Sequence, residues 1–166
     1  MPNTSLAQSR FRDLLKTFDT ALLITQSSAK QLRCRPMAVA RVENDSDIWF
    51  VTSLDAAKVS EIVNHPQVCV AMQKGRTYLS LSGKAEVVHD RARIRKLWSE
   101  AWKVWFPDGQ TDASIALIRV DAEEGEYWDT SGLTGLKYMF KAGKAYLAGE
   151  KMQADGNMNE KVDLNT

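Results

Sequence analysis

The chain has 166 residues, 44% of them hydrophobic, with 22 basic against 21 acidic side chains and a net charge of +1. That is enough apolar material for one domain with a real core, and the near-neutral balance argues against a nucleic-acid footprint or a polyanionic partner. No apolar run reaches membrane-spanning length and the polar stretch Met1 to Arg12 lacks a secretory core, so no membrane segment is expected and a cytoplasmic location is.

In chain order, Ser5 to Phe18 reads as an amphipathic helix, with Leu6, Phe11, Leu14, Leu15 and Phe18 near helical spacing. Ala21 to Thr25 is a short apolar strand. A polar turn leads to a long strand, Leu32 to Val42. The acidic turn Asn44-Asp45-Ser46-Asp47 connects it to a partner strand, Ile48 to Thr52. Ala56 to Asn64 is a helix that ends before Pro66. Val68 to Met72 is a strand, and Lys74-Gly75-Arg76 turns it into Tyr78 to Val88. There Leu79, Leu81, Gly83, Ala85 and Val87 alternate onto one face.

Asp90 to Phe106 reads as one or two helices capped by Asp90, with Ile94, Leu97, Trp98, Ala101, Trp102 and Trp105 as the apolar face. Ile115 to Val120 and Glu124 to Thr130 read as two strands, and Gly132 to Leu147 as a short helix. The expected organisation is one domain over residues 1–148 and a polar, disordered tail over 149–166. Many antiparallel strands joined by short turns, with helices at the corners, predict a mainly β fold with peripheral helices: a small Greek-key barrel. The hairpins are too short for parallel crossovers.

Cys34 and Cys69 lie far apart in apolar strand contexts and read as buried free thiols. With only His65 and His89 present, neither a metal site nor a nucleophile–base arrangement can be built.

The hairpin carries the most chemistry. Pairing its strands brings Arg35 and Thr52-Ser53 to one end of the sheet, and Lys58 follows at the front of the next helix. Two cations, two hydroxyls and a helix N-terminus at one spot suit a phosphate monoester. Spacing alone favours a plainer reading, in which Arg35 and Lys58 are solvated charges and the hydroxyls only end a strand.

A resemblance shifts that balance. Arg35-Pro36-Met37, Trp49-Phe50-Val51-Thr52-Ser53, Lys58-Val59, His65-Pro66-Gln67-Val68 and Glu126-Tyr127-Trp128 together resemble the flavin mononucleotide (FMN)-binding split-barrel superfamily that includes pyridoxamine 5′-phosphate oxidase. It is closer still to the bacterial general stress protein 26 type of that superfamily, and the resemblance runs from about Phe11 to Trp128. The resemblance implies a six-stranded antiparallel split β-barrel binding FMN. Its phosphate would be held by Arg35, Lys58, Thr52 and Ser53. Pro36 and Met37 would line the ring, and Trp49 and Phe50, just before Val51, would flank the ring or ribityl chain by strand alternation, one inward and one outward. Gln73 would meet a ring edge, or else be a plain strand-end residue at the surface. Trp128 would approach from a partner subunit, which implies a homodimer with FMN at its interface.

The departures matter too. The oxidase's basic C-terminal substrate grip is absent after Trp128, and Ala57 stands where its phosphate loop has an arginine. A true pyridoxamine 5′-phosphate oxidase is therefore not expected. The expectation is an FMN-dependent oxidoreductase on an unknown small molecule, with NAD(P)H as a candidate donor and no catalytic residue assignable. A flavin-binding stress or sensor protein without turnover is the alternative, and a deazaflavin-dependent reductase ranks below both.

Overall fold

The computed structural model describes residues 4–149 and 159–165. Helix α1 (Thr4–Leu15) leads into strands β1 (Thr20–Gln26), β2 (Leu32–Val42) and β3 (Ile48–Ser53). Helix α2 (Ala57–Asn64) precedes β4 (Gln67–Lys74) and β5 (Thr77–Val88). Helix α3 (Arg91–Leu97) and two 3-10 turns (Glu100–Val104, Gly109–Thr111) precede β6 (Ile115–Asp129). Helix α4 (Gly132–Ala148) and strand β7 (Asn159–Asp163) complete the described elements.

All strand pairings are antiparallel, in the order β3-β2-β1-β4-β5-β6-β7, and β3 also pairs with β6. That last pairing closes six strands into a barrel. Three hairpin-connected strands and a fourth that returns beside the first form the expected Greek key. Closure removes the exposed edges that an open sheet would present.

Alternation along each strand divides inside from outside. Leu23, Met37, Phe50, Val70, Met72, Leu79, Leu81, Ile118, Val120 and Tyr127 fill the interior. Phe11 and Leu15 of α1 join this core, as does Ile62 of α2. A second apolar cluster lies outside the barrel, where α3 and the first 3-10 turn cover Trp49, Val51, Ile115 and Leu117. Asp90 caps α3 as anticipated, its Oδ1 accepting from the Ala92 N–H at 2.8 Å and the Arg93 N–H at 3.4 Å.

Three sequence expectations are corrected. The two late strands are one, β6, whose first half pairs with β3 and whose second half pairs with β7. The polar residues that seemed to interrupt it face outward beside a register shift at Ser82/Gly83. The polar tail is not without structure, because residues 159–163 form β7 and bury Val162, while Leu164 just beyond is buried with it; residues 150–158 lie outside the described ones. Cys34 is exposed and Cys69 half-buried, because both point outward from the barrel.

Candidate functional site: a cationic cluster beneath helix α2

Helix α2 covers one end of the barrel, near β1 and β5. The β1–β2 register sets Leu23 opposite Arg35 and Thr25 opposite Arg33, so all four side chains share the inward parity. Arg35 therefore reaches the barrel mouth rather than solvent. Its Nη1 donates to the Thr25 hydroxyl at 2.5 Å and its Nη2 to Glu61 Oε2 at 2.8 Å. Thr25 in turn donates to Glu61 Oε2 at 2.5 Å, and Arg33 donates to Oε1 at 3.1 Å. Glu61 is only 6% exposed, so this carboxylate depends on its partners to offset its lost hydration.

Lys58 stands one turn before Glu61 on α2. Its Nζ donates to the buried Thr52 hydroxyl at 3.2 Å. Burial, and then the nearby Arg35 charge, hold this ammonium below its ordinary pKa, although Glu61 and Asp55 pull the other way. The half-buried Ser53 donates to Asp55. Ala56 is the N-cap of α2 and offers its first N–H groups no side-chain acceptor, which leaves that end able to meet an anion. Arg35, Lys58 and Thr52 thus come together at one barrel end, whereas Ser53, next along β3 with the opposite parity, bonds Asp55 instead.

The remaining anticipated residues lie elsewhere. Met37 and Phe50 are enclosed in the barrel core, Phe50 completely. Trp49 and Val51 face outward beneath α3, with the Arg93 guanidinium 4.3 Å from the Trp49 ring centroid. Alternation sends Trp49 and Phe50 to opposite faces as expected, yet both faces are covered within this chain. Pro36 is exposed on the outer face. Gln73 is exposed and donates to the Gly75 carbonyl at 2.8 Å. Gln73 pairs with Tyr78 and Tyr78 with Trp128, so Gln73, Tyr78 and Trp128 form one outward row. That row has the opposite parity from Arg35 and Thr52, and a single chain does not join the two groups.

The sequence reading missed Glu61 and Thr25. Glu61 lies three residues after Lys58, which puts both on one helical face. That spacing was the available signal, but an isolated glutamate in an amphipathic helix reads as solvated. Among the described residues, no group of three or more His, Cys, Asp or Glu side chains could hold a metal. No described helix is long and apolar enough to cross a membrane.

Residues 7–153 match the family described as pyridoxamine 5′-phosphate oxidase like. The chain belongs to that family. Within the pyridoxamine 5′-phosphate oxidase-like family, it is 30% identical to the general stress FMN/FAD binding protein of Xanthomonas citri, with 78% of this chain and 94% of that one covered and a TM-score of 0.65. General stress protein 26 of Bacillus anthracis shares the fold at 20% identity, covering 73% of this chain and 92% of its own, with a TM-score of 0.65. A structure from Jannaschia sp. CCS1 covers 96% of this chain and 99% of its own at 23% identity and a TM-score of 0.74. Protein bli-3 of Neurospora crassa is 28% identical over 112 residues, 61% of this chain. The chain spans about half the length of that curated relative, 54%.

Proposed function

We propose that this chain binds FMN and acts as a flavin-dependent oxidoreductase on a small molecule. The observation that carries the reading is the crowding of Lys58 against Arg35 at the uncapped start of α2. Three cations, Arg33, Arg35 and Lys58, surround two carboxylates, Glu61 and Asp55. A phosphate there would offset the burial, and then the Arg35 charge, that lower the Lys58 pKa, and would meet first-turn N–H groups that no side chain caps. The Thr52 and Ser53 hydroxyls add short-range donors. The flavin named for the Xanthomonas citri relative supports the same ligand.

In this reading Lys58 supplies a point charge to the phosphate and Arg35, held by Glu61 and Thr25, supplies a fixed one. Pro36 and the main chain about Met37 border the ring system. Trp49, Phe50 and Val51 act from behind, holding β3 so that Thr52 stays in reach of Lys58. Gln73 and Trp128 belong to the outward face and serve a second subunit's ring, which requires a homodimer with the cofactor at its interface. The outer face of β1 and β2 suits a subunit contact, since Leu22 (45%) and Leu32 (75%) are exposed there beside Pro36. When bound, a flavin supplies two-electron redox chemistry that no side chain here can provide. The protein's part is to bind, orient and shield it.

The deciding experiment is the visible spectrum of the purified protein, followed by heat release and identification of the chromophore. Oxidised-flavin bands with FMN released are expected. A colourless protein that also fails to take up added flavin overturns the cofactor reading. Steady oxidation of NADPH or NADH with the holoprotein separates the oxidoreductase from a flavin-binding stress or sensor protein that does not turn over.

Lys58→Ala should weaken flavin binding by about 1–2 kcal/mol, the loss of one charge-assisted contact, without lowering the melting temperature of the apoprotein. The ammonium is penalised by burial and by Arg35, so its removal does not harm the fold. Unchanged affinity by fluorescence titration would remove Lys58 from the site.

A further inference from the structure

Helix α4 runs 17 residues, Gly132–Ala148, and leaves five large apolar side chains among the described ones in solvent. Leu136, Met139, Phe140, Tyr146 and Leu147 are 57–87% exposed. An isolated helix of this length is marginal in water, so it needs a surface to pack on. The turn before it is pinned: Asp129 Oδ1 accepts from the Ser131 N–H at 3.0 Å and from its hydroxyl at 2.6 Å, and Thr130 Oγ1 donates to the Arg76 carbonyl at 3.0 Å. Among the described residues α4 meets the barrel at the β4–β5 turn, where Arg76 Nη1 donates to Met139 Sδ at 3.6 Å. It carries Lys137, Lys141 and Lys144 and no acidic residue, in a chain whose charges otherwise balance.

A complementary surface lies on the outer face of the barrel. A cleft of about 540 Å³ is lined there by Ser80, Ser82, Glu124, Glu126, Lys161 and Asp163, among others, so its three carboxylates outnumber one ammonium. Toward β1 and β2 the same face turns apolar. Ile24 pairs with both Cys34 and Cys69, and Leu22 with both Pro36 and Ala71. The face thus grades from an apolar strip to an acidic cleft across adjacent strands. An apolar helix with basic residues and no acidic ones fits that gradient, and at about 25 Å it is long enough to cross several strands spaced about 4.8 Å apart.

We propose that α4 of one copy docks across the outer sheet face of a second copy, its exposed apolar residues on the Leu22–Ile24 strip and its lysines toward Glu124 and Glu126. This rests on the homodimer reading above and names the arm that makes the dimer. Two-fold symmetry would place both arms reciprocally. The apolar packing supplies affinity and the charge match fixes register.

Sedimentation velocity of the full chain, with the flavin spectrum recorded on the same samples, tests it. Wild type should sediment as a dimer. Lys137→Glu with Lys144→Glu should weaken association about tenfold or more, and Glu124→Lys with Glu126→Lys added should restore it. Leu136→Asp, at an exposed position, should also yield monomer. A monomeric wild type, or a dimer indifferent to all these changes, overturns the proposal. So does an unchanged mass accompanied by α4-dependent binding to phosphatidylserine vesicles, which would make a lipid surface the occupant. An indifferent dimer that still releases FMN sinks only the docking, whereas a colourless dimer that responds as expected sinks only the cofactor reading.

Discussion

Arg35→Ala should both empty the flavin site and destabilise the fold by about 3 kcal/mol, the low end of what breaking a buried ion pair costs. The low end applies because Arg33 and Thr25 still face the Glu61 carboxylate after the change. The side chain has two roles at once. One nitrogen holds Thr25, the other holds Glu61, and the charge of the whole group faces Lys58. Flavin loss alone would therefore be ambiguous, because a weakened barrel end could cause it. The double variant Arg35→Ala, Glu61→Gln separates the two effects. If the destabilisation is the orphaned carboxylate, the pair should be less destabilised than the sum of the singles, by urea melts. Flavin binding should stay weak in the double variant, because the phosphate has still lost Arg35. Recovery of flavin binding would assign Arg35 to the fold alone.

The same carboxylate gives the site a pH signature. Burial alone would raise the Glu61 pKa, but hydrogen bonds from Thr25 and Arg35 and the charges of Arg35 and Arg33 outweigh it and leave the pKa below the ordinary 4.5. A depressed folded value means that the contribution is fully present above the unfolded pKa and is lost as pH falls through the folded one. Asp47 has the opposite sign. Burial raises its pKa despite hydrogen bonds from Arg119 at 2.6 Å and the Ala122 N–H at 3.4 Å, so its ionisation opposes folding as pH rises. The deficit of Glu61→Gln relative to wild type should thus shrink as pH drops below 4.5. A deficit that stays constant would mean that the carboxylate is not ionised in its network.

The contrast between these two acids shows what a sequence can and cannot carry. Strand parity was readable, because Leu79, Leu81 and Ala85 alternate without interruption and all three are buried. So was the convergence of Arg35, Thr52 and Lys58, which follows from a hairpin and one short turn. Glu61 was not, since its burial depends on two arginines and a threonine brought by other strands. Trp49 misled for a similar reason: the outer face of β3 is covered by α3, an element that arrives some forty residues later. Strand β7 escaped notice because Val162 is the only apolar residue in its five, too short a signal for alternation to register. Local pattern reports which face a residue takes, and only the assembled barrel reports what covers that face.

Gly83→Ala should cost about 3 kcal/mol or more, the upper range for overpacking, and lower the melting temperature by about 6–12 °C. Gly83 sits at the register shift between β5 and β6 with inward parity. A Cβ there would lie 1.9 Å from the Asp121 carbonyl oxygen, a backbone atom that cannot swing aside. At Gly125, by contrast, an added Cβ would meet the Phe11 ring at 2.4 Å, and α1 can shift that ring outward. Gly83→Ala should therefore be the worse of the two, although Gly125 sits deeper beneath a helix. The consequence reaches the proposed ring contacts. The β5–β6 ladder that passes Gly83 also sets Tyr78 against Trp128 and shapes the acidic cleft beside Ser80 and Ser82. Opening the ladder at the bulge should change the tryptophan emission and weaken self-association, while Arg35 and Lys58, neither of which pairs across the β5–β6 ladder, keep their phosphate contacts. Weaker self-association with flavin affinity retained would separate the half of the site that grips the phosphate from the half that a second subunit completes. A wild-type melting temperature would mean that β5 and β6 do not approach closely at this bulge.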